Sequence, residues 1–500
     1  MSSSKTLRFI AIVVAILAVI GLLMPEEGIS LFGIQLRFPS PSAIMKSDEQ
    51  EEVEITAGED HPELKALQDT LSYLRWQRDS SDVRFWLPNP HYLDDFWTAA
   101  STAREQKQTV RILHYGDSQI EMDHISSKVR ANMQHTFGGG GPGMLPVRQI
   151  TPIVTVKQST RGQLVHLASF GDSLAVKSRG NYGPMMQCFR LEDGDINVSI
   201  KAANSSKIDN AVKHFERVKL IANNRSVLKA EFTNVTHKKK ARSQSARGRG
   251  VVAIDWETDS STKSFQVRIS GNADLYALLV DADSGGVAVD NIPMRGCSGG
   301  QFTLVDEQLL TDAYSQMNIG LIIMQFGGNS VPYIKSTSQI STYCKTIGKQ
   351  IDYLHRCCPK AKILFIGPSD MSHRSGGDVQ TYAMLPSLID SLISTTTAHN
   401  AAYWSIYHAM GGHNSMKMWV KKGLAGKDYI HFSQKGADLM GERLATALAD
   451  NYALYRLEKR MAAEKKQAAQ LKKNSKKADG GKKNKTASGK RKSKKKGGHR

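Results

Sequence analysis

The stretch from residue 110 to residue 130 constrains the fold most strongly. An apolar run, Val110–Tyr115, predicts a short buried strand. Gly116-Asp117-Ser118 interrupts it, and apolar residues at helical spacing resume from Ile120. A strand, a tight polar turn and a helix place the Ser118 hydroxyl at the carboxyl end of a sheet, beside helix N–H groups that can stabilise an anion. A serine here is either a helix N-cap or a nucleophile, and the segment alone does not decide between them.

Three later segments carry further polar residues directly after apolar runs or before a helical stretch. Residues 291–296, Asn-Ile-Pro-Met-Arg-Gly, follow the apolar run Val287–Val289. Residues 325–330, Gln-Phe-Gly-Gly-Asn-Ser, follow the run Ile319–Met324. Residues 428–431, Asp-Tyr-Ile-His, precede a helical pattern from Gln434. With the Ser118 turn, these segments resemble the four blocks of the SGNH hydrolases, also called the GDSL esterase/acylhydrolase superfamily. The resemblance implies a flavodoxin-like, three-layer α/β domain.

The resemblance also assigns roles residue by residue. It implies that Ser118 is the nucleophile and that Asp428 and His431 complete a catalytic triad. The N–H groups of Ser118 and Gly296 and the amide of Asn329 would bind the oxyanion. The chemistry fits, because a serine hydroxyl is a weak nucleophile until a base takes its proton. An aspartate that binds the other ring nitrogen fixes the histidine tautomer.

Two features near these blocks need an interpretation. Gln119 stands where the family motif has Leu, and we expect that position to be structural. A second Gly-Asp-Ser-Leu sequence occurs at residues 171–174. The chain before it is a poor buried strand, and the chain after it contains Arg, Gly, Asn and Gly rather than a helical pattern. The sequence therefore favours Ser118 over Ser173 as the nucleophile.

The N-terminal part of the chain suggests a membrane-anchored, exported protein. Residues 9–24 are apolar or small and uncharged, near the lower length limit for a membrane span. Basic residues precede this run and Glu26-Glu27 follows it, so residues 1–25 are predicted to be a signal anchor of the inner membrane, with the remainder in the periplasm or cell exterior. A cleaved signal peptide is the alternative. Residues 26–60 form an acidic linker, and residues 61–145 hold N-terminal helices and the first part of the hydrolase domain.

Between Ser118 and Gly296 lies much more chain than a minimal SGNH domain has. Residues 146–284 contain short β-branched or alternating runs, separated by the turn signals Asn-Asn, Asp-Gly and Ser-Gly-Asn. Such regular short strands predict an inserted β-sandwich. The insertion resembles the carbohydrate-binding-like domains of some envelope esterases, and a sandwich without a ligand of its own is an equal alternative.

Residues 285–455 are predicted to complete the hydrolase domain. Strand Ile319–Met324, helix Gln339–His355 and strand Lys362–Ile366 alternate as in a doubly wound α/β sheet. Asp370 and Ser372 follow the last of these strands, so they are candidate substrate-binding residues; a plain loop is the competing interpretation. His408 and His413 have no carboxylate or cysteine cluster near them in sequence, so we predict no metal site and no cofactor.

Most of the net positive charge lies in the tail, residues 456–500. The last forty residues carry 14 Lys and 2 Arg against two acids, a net charge of +14 out of +20 for the chain. From Lys472 onward the composition is of low complexity and predicts disorder. For an exported protein, such a tail favours anionic envelope polymers or lipid head groups as partners and disfavours nucleic acid.

Together these features predict an exported serine esterase or acyltransferase that acts through an acyl-serine intermediate. Its context favours O-acyl groups, above all O-acetyl groups, of envelope polysaccharide or peptidoglycan. The alternatives are a non-catalytic glycan-binding scaffold and a lipase acting on lipid esters.

Overall fold

A computed structural model describes residues 29–31, 34–36, 62–81, 83–171, 180–282 and 285–489. The chain divides into two compact units. One comprises residues 77–455, and the other comprises residues 1–76 with 456–500.

The smaller unit contains two short strands and helical segments. Strands β1 (Ile29–Leu31) and β2 (Ile34–Leu36) pair antiparallel. Helix α1 (Pro62–Ser80) lies within the region where N-terminal helices were predicted, and its Leu64, Leu67 and Leu71 are buried. The guanidinium of Arg75 donates to Glu458 Oε1 at 2.8 Å. The predicted anchor and most of the acidic linker lie outside the described residues. Among the described helices, none is both long and apolar enough to cross a membrane.

The C-terminal helix is longer than the sequence predicts. Helix α9 (Gln434–Gly489) begins at the expected residue and continues well past Leu471. The disorder predicted from Lys472 is therefore wrong as far as Gly489, and residues 490–500 lie outside the described part. The helix contains no proline and is rich in Ala, Lys and Leu, whose helix propensity is high.

A six-stranded sheet forms the centre of the larger unit. Its strands are, in spatial order, β13 (Gly286–Pro293), β4 (Thr109–Gly116), β14 (Ile319–Gln325), β15 (Lys362–Gly367), β18 (Ala402–Ser405) and β3 (Phe85–Trp86). The first five are parallel and β3 is antiparallel. Numbered along the chain, the parallel strands have the order 2-1-3-4-5 of flavodoxin-like sheets. The predicted α/β class and the predicted strands are confirmed, with ends shifted by one or two residues.

Helices cover both faces of this sheet. The helices of the larger unit that precede α9 are α2 (Asp94–Thr102), α3 (Ser126–Phe137), α4 (Glu307–Ser315), α5 (Thr337–Cys357), α6 (Leu385–Ala398), α7 (Ile406–Met410) and α8 (Ser415–Lys421). Successive strand side chains point to opposite faces. Ile323 therefore joins a buried cluster with Trp97 of α2 and Leu444 of α9. Its neighbour Ile322 joins another with Ile351 of α5. The result is three layers with two apolar cores.

The inserted region is β-rich, as predicted, and its strands form one continuous sheet. The strands are β5 (Gly143–Leu145), β6 (Val156–Arg161), β7 (Val165–Ala168), β8 (Gln187–Ala202), β9 (Arg217–Asn234), β10 (Arg242–Arg247), β11 (Gly250–Glu257) and β12 (Ser264–Asp281). Their pairing is antiparallel, in the order β10-β9-β12-β8-β6, with β11 also on β9, β5 on β12 and β7 on β8. The long strands β8, β9 and β12 change neighbours along their length.

The three turn signals of the insertion lie inside strands. Asp193-Gly194, Asn223-Asn224 and Ser270-Gly271-Asn272 fall within β8, β9 and β12, at the same level of the sheet. The register of β12 shifts between Gly271 and Ala273 against both neighbours. Gly271 has φ +122°, a conformation that side chains rarely adopt. These residues therefore form bulges in long strands, where the sequence predicted reversals of the chain.

The insertion shares a core with the six-stranded sheet. Ile221 of β9 and Tyr276 and Leu279 of β12 belong to the same buried cluster as Leu113 and Ile322. The glycine run 138–143 joins the two parts. A Cβ on Gly139 or Gly141 would overlap backbone of β13 or β12, so glycine permits the close packing. These glycines therefore make a tightly packed connection between the insertion and the six-stranded sheet.

Candidate active site

The turn after β4 presents Ser118 at the carboxyl end of the sheet. Asp117 caps the turn, since its Oδ1 accepts a hydrogen bond from Gln119 N at 3.0 Å. A short 3₁₀ segment, Ser118–Asp123, follows. Helix α3 begins only at Ser126, whereas the sequence predicted a helix from Ile120. Met122, Asp123 and Ile125 have φ between +57° and +67°, which interrupts the helix.

Two ion pairs hold the interrupted segment in place. Asp123 and Arg130 form a buried, two-point ion pair within this segment and α3. Glu121 pairs in the same two-point manner with Arg295, the residue before Gly296. These pairs give a reason for the late helix start, because a regular helix from Ile120 would turn the acidic side chains away from these partners.

Ser118, His431 and Asp428 form a chain of hydrogen bonds. Ser118 Oγ lies 2.9 Å from His431 Nε2, and His431 Nδ1 lies 2.8 Å from Asp428 Oδ2. With the proton on Nδ1 donated to Asp428, Nε2 is free to accept the serine proton. The histidine and aspartate side chains are 50% and 47% exposed, so the chain of hydrogen bonds is open to solvent.

Asp428 is held as a carboxylate. Partial burial works against ionisation, but the hydrogen bonds from the His431 side chain and from the N–H groups of Ile430 and His431 outweigh it. The pKa of Asp428 is therefore lowered. Its Oδ1 accepts from Ile430 N at 3.1 Å and from His431 N at 3.2 Å, so the carboxylate also fixes the backbone of its own loop.

Gln119 binds the loop that carries His431. Its Nε2 donates to Ile430 O at 2.8 Å, and its Oε1 accepts from Phe432 N at 3.3 Å. The Gln119 amide thus forms hydrogen bonds with the backbone on both sides of His431, although Gln119 and this loop are more than 300 residues apart in sequence. The position is structural, as expected, and a leucine there could make neither hydrogen bond.

Asn329 lies in the loop after β14, beside the turn that carries Ser118. Its Nδ2 donates to Asp117 Oδ2 at 3.2 Å and to Cys297 O at 3.0 Å. Both amide hydrogens therefore have protein acceptors. Burial raises the pKa of Asp117 to about 6, against the lowering effects of the Gln119 N–H, the His431 charge and the Asn329 amide. Asp117 and Asn329 thus form one hydrogen-bonded unit next to Ser118.

Gly296 lies in the loop after β13, which is tied to the same turn. Met294 N donates to Gly116 O at 2.7 Å, and Cys297 O accepts from Asn329. Gly296 has φ +76°, and a Cβ there would meet nothing within 4 Å. The backbone conformation, rather than lack of space, therefore favours glycine at this position.

A buried network of hydrogen bonds connects residues near the carboxyl ends of the strands. His114 Nε2 lies 3.0 Å from Gln325 Oε1, and its Nδ1 lies 2.9 Å from Ser126 Oγ. Ser126 Oγ lies 2.8 Å from Asn291 Oδ1. Burial lowers the pKa of His114 to about 4, so this histidine is neutral near pH 7. The network links β4, β14, β13 and the start of α3.

A small cavity of about 170 Å³ opens beside Ser118 and His431. Its lining includes Asn329, Tyr333 and Met371. Asp370 and Ser372 flank Met371 but do not line the cavity. Asp370 is buried, where its carboxylate accepts from Thr381 Oγ1 at 2.7 Å and from Met416 N at 2.8 Å.

The predicted substrate-binding role of Asp370 and Ser372 does not fit this geometry, because both side chains turn into the protein. The competing serine, Ser173, lies outside the described residues. Sequence reasoning missed Tyr333, for which an aromatic after proline is at most a weak signal. It noted Gln119 only as a departure from the motif, and that polar replacement was the signal for its contact with the histidine loop.

Comparison with known proteins gives a likeness at the level of fold. No protein-family model matches the chain, and no curated protein matches it. A solved peptidoglycan O-acetylesterase superposes with TM-score 0.60 and 20% identity, over 75% of this chain and 99% of that one. A family two carbohydrate esterase from Clostridium thermocellum gives TM-score 0.26 and 9% identity, over 58% and 100%. The periplasmic domain of a lipopolysaccharide acetyltransferase from Salmonella ser. Paratyphi A gives 0.25 and 12%, over 33% and 73%.

Of these three likenesses, only the first is strong enough to show a shared fold. That likeness extends over three quarters of this chain.

Proposed function

We propose that the protein is a serine esterase or acyltransferase that removes O-acetyl groups from a cell-envelope glycan. One observation carries the proposal: Ser118, His431 and Asp428 are already aligned in hydrogen bonds at the carboxyl edge of the sheet. The likeness in fold to a peptidoglycan O-acetylesterase supports an acetylated glycan as the substrate class.

In the proposed reaction, Ser118 Oγ attacks the acetyl carbonyl carbon while its proton passes to His431 Nε2. Asp428 stabilises the imidazolium through Nδ1–H. The N–H groups of Ser118 and Gly296 and the Asn329 amide are the proposed donors to the tetrahedral oxyanion. Because the Asn329 amide also binds Asp117 and Cys297, donation to the oxyanion requires it to release or share one of these acceptors.

The second half of the reaction returns the enzyme to its starting state. His431 donates its proton to the departing sugar oxygen, which leaves an acetyl ester on Ser118. Water, or a hydroxyl of another sugar, then attacks this ester with His431 as the base. The bond between Ser118 Oγ and the acetyl carbon breaks, and His431 returns the proton to Oγ. Water gives hydrolysis and a sugar hydroxyl gives transfer; both use the same residues.

The decisive experiment measures acetate release from O-acetylated peptidoglycan by wild-type protein and by Ser118→Ala. We expect turnover by the wild type and its loss in the variant, together with loss of labelling by a serine-reactive phosphonate. Ser173→Ala is the matched control and should keep both properties. Loss of labelling in Ser173→Ala, with labelling kept in Ser118→Ala, would reassign the nucleophile. Binding of glycan without any turnover by the wild type would favour the glycan-binding scaffold.

The location of the protein is part of the proposal. The apolar run Phe9–Met24, with basic residues before it and acidic residues after it, supports an inner-membrane anchor and an exported catalytic unit. The basic tail supports contact with anionic envelope polymers or lipid head groups. Fractionation of cells that produce the full chain tests the location, and recovery of the protein in the soluble cytoplasmic fraction would contradict it.

A further inference from the structure

Tyr333 is an exposed aromatic side chain at the mouth of the candidate active site. It is 76% exposed, yet it lines the cavity beside Ser118 and His431. A large apolar ring in water has an unfavourable hydration free energy, so an exposed aromatic next to a reactive centre is a candidate ligand contact.

The backbone under this ring is fixed. Tyr333 ends a 3₁₀ turn, Val331–Tyr333, whose second residue is proline. Val331 and Ile334, before and after it, are buried, and Tyr333 N donates to Ser330 O at 3.0 Å. Buried side chains on both sides hold the turn, so a ligand that binds the ring does not have to order the backbone beneath it.

Two other tyrosines on neighbouring loops have occupied ring faces. Tyr382 stacks on His373 at a centroid distance of 4.5 Å and receives the Lys335 ammonium at 5.5 Å. Tyr429 receives the Arg374 guanidinium at 6.0 Å. Within the part of the chain that the structure describes, Tyr333 has no ring or cation partner of this kind. Its faces are therefore open.

The cavity is too small to enclose a sugar together with its acyl group. Pockets that enclose a drug-sized ligand measure about 300–1,000 Å³, whereas this one is about 170 Å³. An acetyl group fits such a volume, and the ring that bears it must then lie outside, over the rim. One face of a pyranose ring presents C–H groups, which pack well against the electron-rich face of an aromatic ring.

We propose that Tyr333 is a stacking platform for a pyranose ring of the substrate, next to the ester that Ser118 attacks. The inference rests on the proposed function and adds a binding subsite to it. Stacking holds the glycan before and during the reaction equally, so it should act on KM more than on kcat.

The test uses two substrates and measures the release of acetate from each. One is a soluble peptidoglycan fragment that carries O-acetyl groups; the other is ethyl acetate, which has no ring. We expect Tyr333→Ala to raise KM for the glycan about tenfold and to change kcat less than twofold. Ethyl acetate hydrolysis should change less than twofold. Tyr333→Phe should behave like the wild type, because stacking uses the ring and not the hydroxyl.

Two further variants make the result specific. Tyr333→Leu keeps apolar area but has no flat face, so it should resemble the alanine variant. Leu304→Ala removes another exposed apolar side chain (54% exposed) from a different 3₁₀ turn and serves as the matched control.

The outcomes separate this inference from the proposed function. If the wild type releases acetate from the glycan and Tyr333→Ala has an unchanged KM, the subsite is overturned while the esterase stands. If Tyr333→Leu equals Tyr333→Phe, general apolar contact replaces stacking. If the wild type releases acetate from neither substrate, the proposed function fails and the subsite with it.

Discussion

Single residues around Ser118 connect segments that are distant in sequence. Gln119 is adjacent to Ser118, the proposed nucleophile, and its amide binds the backbone on both sides of His431. Asp117, on the other side of Ser118, accepts from Asn329. The residues that flank Ser118 thus hold the proposed base and a proposed oxyanion donor in place. This arrangement gives three predictions at the scale of the residue.

Gln119→Leu should lower kcat for acetate esters about tenfold, because a small displacement of a reacting group has a large effect on rate. KM should stay within twofold. The loss of two partly buried hydrogen bonds should lower the free energy of unfolding by only about 1–2 kcal/mol. Steady-state kinetics measures kcat and KM, and a urea titration measures the free energy of unfolding. Gln308→Leu, which loses a surface hydrogen bond to Asp312, is the control. An unchanged kcat in Gln119→Leu would mean that the amide does not position His431.

Asn329→Ala should lower kcat about a hundredfold or more with a smaller change in KM, since the amide is proposed to act on charge that develops in the transition state. The variant also deprives buried Asp117 of a donor, so its free energy of unfolding should fall by about 1–3 kcal/mol. Kinetics at a temperature where the variant remains folded separates the two effects. An increase in KM alone would remove Asn329 from the oxyanion site.

Asp117 should make stability depend on pH in the direction opposite to that of a paired surface carboxylate. Its pKa is about 6 in the folded protein, against 3.8 as its ordinary value. The folded state therefore binds this proton more tightly, and the resulting stabilisation is complete below about pH 4 and lost as the pH rises through about 6. Relative to Asp117→Asn, which cannot titrate, the wild type should lose about 3 kcal/mol between about pH 4 and pH 7. Urea unfolding of both proteins across this range measures the difference; a difference that does not change with pH would contradict the prediction.

At the scale of elements, the inserted sheet and the six-stranded sheet depend on each other. Arg111 of β4 donates to Asp290 of β13 at 2.9 and 2.7 Å and to Asp281, at the end of β12, at 2.5 Å. All three side chains are buried. The guanidinium of Arg111 thus joins two strands of the six-stranded sheet to the insertion, beside the apolar core that both parts share.

Arg111→Met should destabilise the larger unit by about 3–5 kcal/mol, because it leaves two buried carboxylates without their cation. We also expect both sheets to unfold in one transition, since neither has a core of its own on the shared side. Denaturation followed by tryptophan fluorescence and by circular dichroism tests this. The control is Arg268→Met, which breaks an exposed pair with Asp195 and should have an effect of less than about 1 kcal/mol. Two separate transitions in the wild type would show that the insertion folds independently.

At the scale of the whole molecule, most of the net charge lies at the C-terminal end of the chain. The last forty residues carry +14 of the net +20, so the remaining 460 residues carry only +6. The proposed catalytic residues all precede this tail. The proposed catalytic residues and most of the net charge therefore lie in different parts of the chain.

Deletion of residues 472–500 should leave acetate release unchanged and weaken co-sedimentation with anionic lipid vesicles. The attraction is electrostatic, so it should fade above about 0.15 M salt, where the Debye length is about 8 Å. Both proteins in this comparison lack residues 1–25, so that the predicted anchor cannot contribute. Equal sedimentation of the full and shortened tails at every salt concentration would leave the tail without this role.

The sequence determined the parts of this protein that depend on local pattern. Apolar runs such as Ile319–Met324 predicted the parallel strands. The motif blocks placed Ser118 and Asn329 directly after strands and His431 shortly before a helix. Local periodicity can do this because burial of a strand or helix face is recorded in neighbouring residues. The same patterns were misread where residues have two uses: Ser-Gly-Asn at 270–272 suits a turn or a bulge, and only pairing with β8 and β9 selects the bulge.

Tertiary structure decided everything that depends on which distant residues meet. The late start of α3 follows from the partners of Glu121 and Asp123, and the inward position of Asp370 follows from Thr381 and Met416. The contact of Gln119 with Ile430 joins residues 311 positions apart, and the open faces of Tyr333 depend on which neighbours leave them free. Such contacts are set by the packing of the whole chain, because the free energy of a side-chain hydrogen bond depends on the partner that folding brings to it, and local spacing does not encode that partner.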